Sequence, residues 1–140
     1  MPFIVFFMFD ALLRTDMNLA HSYASEVFKL RNRKMDPNVI TVLFQRISYY
    51  EDVLKIPSSL YQIAADAYIN EVSLLSNEIL IKIAPGYYRT AANWSWRAGN
   101  YSQAITAIGK AIDLLKQQRP LDGVKVREYE KEFKKYQVGK

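Results

Sequence analysis

A chain of 140 residues is long enough to bury one core and too short for two ordinary domains. Half of it is apolar and about a quarter charged, as in a folded globular chain, and the lack of cysteine excludes disulfides, thiolate metal sites and a cysteine nucleophile. Nineteen basic against fourteen acidic residues leave a charge of +5, an excess gathered near the C-terminus that suits an acidic partner without requiring nucleic acid.

The opening MPFIVFFMFDALLR is apolar, but Asp10 interrupts it and it falls short of the roughly 20 residues needed to cross a bilayer. No lysine or arginine precedes the apolar run and no small-residue cleavage site closes it, so a cytoplasmic chain without a membrane span is expected. The stretch reads as a core helix from about Phe3 to Leu13. A strand over the first nine residues, an interfacial anchor, or an apolar docking surface at residues 3–9 that joins sister chains are the alternatives.

Beyond it, apolar residues recur at three and four without period-two alternation, which makes the fold all-α, with about seven helices. Thr15-Asp16 can cap a second helix reaching about Arg31. Asp36-Pro37 starts a third, with Val39, Ile40, Leu43, Phe44 and Ile47 inward, that ends near Lys55 because Pro57 follows. Ser58 or Ser59 caps a long fourth segment with Leu60, Ile63, Ala64, Ala67, Val72, Leu75, Ile79 and Ile83 near one side. Ser73, Ser76 and Asn77 are places where it can bend or divide, and Pro85-Gly86 is expected to end it. After Pro120 and Gly123 a charged helix at about 123–137 offers only a thin apolar stripe, Val124, Tyr129, Phe133 and Tyr136, and reads as a cap over an exposed core edge.

Between these lies AANWSWRAGNYSQAITAIGKAIDLL, residues 91–115, two short amphipathic halves broken at Gly99-Asn100. Two antiparallel helices joined so tightly pack closely only where side chains are small. Ala91, Ala92, Ala98, Ala104, Ala107 and Ala111 supply that, Gly99 can take the left-handed conformation that ends the first helix, and Tyr101 can lean back over the turn. The pattern over residues 85–118 resembles a tetratricopeptide repeat, a helix–turn–helix unit of about 34 residues. Residues 1–34 carry a degenerate version, with Thr15-Asp16-Met17, Ala20, Ala24 and Val27-Phe28 at matching spacings but Phe7-Met8 where the small pair belongs. The 84-residue offset from Ala20 to Ala104 exceeds the roughly 68 of two repeat steps, so the middle hairpin is longer than standard. The resemblance implies a single domain over 1–140, a superhelical stack of hairpins at about 3–31, 37–84 and 86–117 closed by the cap.

It further implies a polypeptide partner held in a groove lined by the first helix of each pair. Arg89, Asn93 and Arg97 are four apart in succession and so share one helix face with Trp96 close by, a row able to present two guanidinium groups and an amide to a carboxylate. The competing reading is an ordinary solvated helix face, with Trp94 and Trp96 packing on a neighbouring hairpin. Tyr49-Tyr50 and Tyr87-Tyr88 do not interleave with a dense basic stripe, so nucleic-acid binding, best supported by the basic tail KEFKKYQVGK, is the lesser alternative. A metal site, a cofactor and a catalytic role are not expected. His21 is the only histidine, no phosphate loop or nucleophile elbow occurs, and Glu51-Asp52, Glu71 and Glu78 lack a partner helix of carboxylates.

Overall fold

The structure, a computed structural model, describes the backbone of residues 2–31, 45–73 and 77–139, and their side chains except at 2–7, 27–31, 73 and 77–81. All regular structure among the described residues is α-helical, which establishes the all-α class. In chain order the helices are α1 (Pro2–Thr15), α2 (Met17–Arg31), α3 (described over 45–50), α4 (Ser58–Ser73), α5 (Asn77–Arg97), α6 (Tyr101–Gln117) and α7 (Gly123–Val138). No described helix is long and apolar enough to cross a membrane. The chain divides into two compact units, residues 1–64 and 65–140, with the division inside α4.

In the first unit the opening segment is a helix and not a strand. Phe9 and Leu13 are buried on α1, as are Ala20 and Ala24 on α2 and Ile47 on α3, while Met8 is half exposed. Asp16 separates α1 from α2 and caps the latter, its Oδ1 accepting the Leu19 N–H at 3.2 Å. The expected start at Asp36-Pro37, and Val39, Ile40, Leu43 and Phe44, lie outside the described residues. α3 stops at residue 50, earlier than Pro57 requires, because the chain tightens into a turn in which the Val53 and Leu54 N–H groups both donate to the Tyr50 carbonyl.

Asp10, the charge that interrupts the apolar opening, ties α1 to α3. Its Oδ1 accepts from Arg46 Nε at 2.8 Å, from Arg46 Nη2 and from the Tyr50 hydroxyl at 3.0 Å, while Arg14 Nε lies 3.1 Å from Oδ2. Burial by itself pushes this carboxyl up, but the hydrogen bonds from Arg46 and Tyr50 and the charges of Arg46 and Arg14 together outweigh it and hold the group below the usual carboxylate range. A depressed folded pKa stabilises above the unfolded value of about 4 and is lost as pH falls through the folded value. Asp10→Asn is therefore expected to cost the first unit about 1–2 kcal/mol at pH 7 and less at pH 3, read by urea denaturation with circular dichroism. An equal loss at both pH values would refute the assignment.

In the second unit the expected helix end at Pro85-Gly86 is not found. Pro85-Gly86 does not end a helix, because α5 runs unbroken from Asn77 to Arg97 with Pro85 inside it. An interior proline costs about 3 kcal/mol through its missing N–H and its clash with the preceding turn. Here that cost is offset by burial, since Pro85 and its neighbour Ala84 are both inside the unit. α4 ends at Ser73 and α5 begins at Asn77, and residues 74–76, where the long fourth segment was expected to bend or divide, lie outside the described residues. The third hairpin is therefore α5–α6, beginning at Asn77 and not at 86.

The turn of that hairpin has the chemistry its sequence suggests. Gly99 sits at φ +81°, its N–H donates to the Trp96 carbonyl at 3.1 Å, and the Asn100 N–H donates to the Ser95 carbonyl at 2.9 Å. These two bonds close α5 in the Schellman pattern. Asn100 then starts α6, its side chain accepting the Gln103 N–H. Ala91, Ala92, Ala104, Ala107 and Ala111 are buried together with Ile108, Ile112 and Leu115 in the core cluster of the unit, while Tyr101 is half-buried.

α7 begins at Asp122, whose carboxylate accepts the Lys125 N–H. It adds Val126, Tyr129 and Tyr136 to the same cluster, with Phe133 packed against it. The expected stripe is corrected at one position: Val124 is 57 % exposed and Val126 takes its place. Residues 126, 129, 133 and 136 keep the three–four–three spacing of one helix face, which Val124 does not share with Tyr129.

Candidate functional site

The row proposed for a partner lies on the last three turns of α5. Helical spacing aligns Arg89, Asn93 and Arg97 on the part of α5 that follows Pro85. The structure places α7 of the same chain on most of it.

Arg89 has a carboxylate partner already. Its Nε and Nη2 donate to Glu132 Oε1 at 2.8 and 2.6 Å, and its guanidinium lies 4.8 Å from the centre of the Tyr129 ring. The Glu132 hydrogen bond, opposed by partial burial, holds the Arg89 pKa above its ordinary value. Burial also pushes the Tyr129 phenol up. Asn93 hydrogen-bonds the hydroxyl of Tyr136, whose pKa burial raises. The Trp96 ring packs 6.0 Å from that of Tyr136, with Lys135 Nζ 4.8 Å from its centre, and its Nε1 is buried with no hydrogen-bond partner among the described residues.

Three of the four row residues thus engage α7, and Glu132 stands where an external carboxylate was expected. Arg97 is exposed, and its guanidinium lies 5.0 Å from the centre of the Trp94 ring. Trp94 itself is buried.

A polar chain behind the row escaped the sequence reading. Ser95, fully buried, lies 2.7 Å from the Ala91 carbonyl and 3.0 Å from Gln103 Oε1. Asn100 Nδ2 donates to the same Gln103 oxygen, and Gln103 Nε2 donates to Asp66 Oδ1 at 3.3 Å. Buried polar groups satisfied in series specify one arrangement of the elements that carry them, here α4, α5 and the start of α6. The one local signal was Asn100, which suits both the end of one helix and the start of the next.

The other candidates do not converge. His21 is half-buried on α2, Glu71 is buried on α4, and the Glu78 side chain lies outside the described residues. Glu51 lies 3.5 Å from the Tyr61 hydroxyl while Asp52 is exposed. Among the described residues no three His, Cys, Asp or Glu side chains stand close enough to hold a metal ion. The Tyr49 and Tyr50 rings meet edge to face and Arg46 stacks on both, so this pair belongs to the Asp10 cluster, while Tyr87 packs on Tyr68. No protein-family profile, curated protein or solved structure matches the chain.

Proposed function

We propose that the chain is a non-catalytic polypeptide-binding module, an adaptor or scaffold built on a tetratricopeptide-like hairpin, with an acidic or carboxylate-bearing partner. The supporting observation is the construction of α5–α6. A left-handed glycine turn, alanines on the buried contact and a capping helix make a rigid platform whose side chains are spent on packing, not on chemistry. Such a platform suits recognition, because binding to a preorganised surface loses little conformational entropy. Of the proposed row, Arg97 is the residue that meets a partner first, with Trp94 holding its guanidinium and Arg89, Asn93 and Trp96 behind α7.

Retention of a discrete polypeptide from native extract, identified by mass spectrometry, is the expected result. Arg97→Ala should lower that retention with the helical circular dichroism unchanged. Undiminished retention by the Arg97→Ala protein removes the site assignment, and retention of no polypeptide by the wild-type chain removes the functional reading.

A second reading is a structural domain that self-associates through its apolar N-terminal segment. Met8 and Leu19 are each about half exposed, and Leu12, Leu19 and Tyr23 line an open hollow of about 260 Å³ between α1 and α2. The side chains of residues 3–7 lie outside the described residues. Sedimentation equilibrium separates the readings, since a self-associating chain gains mass with concentration and an adaptor stays monomeric.

A further inference from the structure

α7 carries two stripes on opposite sides. Val126, Tyr129, Phe133 and Tyr136 face the core. Val124, Arg127, Lys131, Lys134 and Val138 follow the same alternation of three and four on the far side, and all five are exposed. The spacing is that of a coiled-coil seam with cations at its three central positions, and it faces outward with no helix against it among the described residues.

The outer face of a capping helix has only to be polar to keep the fold soluble. This one ends in aliphatic residues instead, with Val124 57 % and Val138 85 % exposed, and Leu121 beside Val124 54 % exposed. Between the valines the cations have no carboxylate partner among the described residues. Arg127, Lys131 and Lys134 line, together with Glu130, an open hollow of about 220 Å³. At 1.5 Å of rise per residue the valines stand about 21 Å apart and the outer cations about 10 Å apart.

We propose that this outer seam docks an acidic amphipathic helix from a partner polypeptide, whose carboxylates meet Arg127, Lys131 and Lys134 and whose apolar ends cover Val124 and Val138. The proposal rests on the polypeptide-binding reading above and names a surface and a partner chemistry for it. A second copy of the chain does not fit. Lys131 is the centre of the seam, so parallel and antiparallel pairing alike set lysine against lysine. A nucleic acid fits less well than a polypeptide, because a phosphate backbone gains nothing from the valines and is repelled by Glu130, which a partner lysine or arginine would satisfy.

The test uses the full chain and a fluorescent synthetic helix of about 18 residues, with glutamates at a three–four spacing and leucine at each end of the same stripe, read by anisotropy. A scrambled peptide of identical composition and a duplex DNA of similar charge are the comparisons. Binding of the ordered peptide in preference to both, about tenfold weaker for K131E/K134E and several-fold weaker for V124S/V138S, supports the seam. Each variant is checked by circular dichroism, and all these positions are exposed, so folding should survive. Equal binding of the scrambled peptide, preference for DNA, or no binding at all overturns the proposal. Loss of peptide binding in R97A with K131E/K134E unaffected overturns the seam while leaving the polypeptide-binding reading standing.

Discussion

Tyr136→Ala is expected to cost the second unit about 3–5 kcal/mol, the range for removing a buried aromatic ring from a core that relaxes only partly. Tyr136 is 1 % exposed, its ring packs on Trp96 and its hydroxyl meets Asn93. Truncation leaves a void under the last turn of α7 and removes one of the contacts that hold that helix to the end of α5. Both tryptophans of the chain lie on α5, so their fluorescence follows this unit during urea denaturation. Tyr136→Phe keeps the ring and should cost only about 1 kcal/mol, the worth of one hydrogen bond. A loss below about 1 kcal/mol for the alanine variant would mean that α7 is not integral to the core.

Ala104→Leu is the second large effect and acts in the opposite way, by adding volume. Ala104 is fully buried in the cluster with Ala91 and Ala92, where α5 and α6 approach. Three extra carbons have no space there, and overpacking a closed core costs about 1–3 kcal/mol, with the upper end expected where two helix backbones must part. A leucine also buries more apolar surface, so a site with any slack would be stabilised instead. Unchanged or increased stability by the same fluorescence assay would show that the close approach does not depend on alanine. The Gln103–Asp66 hydrogen bond lies one residue away, and parting of the helices should weaken it as well.

Much of the local structure was legible in the residues themselves. Asp16 ends one helix and caps the next, Gly99 has the left-handed turn its position asks for, and α4 starts directly after Pro57, although Ser58 and Ser59, expected as its cap, lie inside it. Each depends on a group within four residues, a distance at which capping and turn preferences act. Pro85 was misread by the same local logic. The rule that proline ends helices assigns it a cost and says nothing of the burial that offsets it. The phase of α7 was half legible, because Tyr129, Phe133 and Tyr136 fix one face but Val124 and Val126 are equally apolar neighbours. Only the groove that receives the helix selects Val126.

The row on α5 shows the limit most directly. Its helical alignment follows from the spacing of Arg89, Asn93 and Arg97, but Glu132 is 43 residues from Arg89 and belongs to a helix read as a mere cover. Nothing in the charge pattern of α7 distinguishes Glu132, which points at an arginine, from Glu128 and Glu130, which are exposed. Asp10 was similarly read only as an interruption of an apolar run, whereas it is the acceptor that joins α1 to α3 through Arg46.

By itself the sequence determined an all-helical chain, the places where several helices begin and end, and the small-residue contact behind Gly99, because these depend on backbone hydrogen bonds and side-chain volumes acting over a few residues. The tertiary structure decided that α5 continues through Pro85, that α7 lies over Arg89 and Trp96, and that one seam of α7 is left facing outward. Those outcomes depend on which surfaces meet, and burial and ion pairing between distant residues carry free energies as large as the local preferences they override.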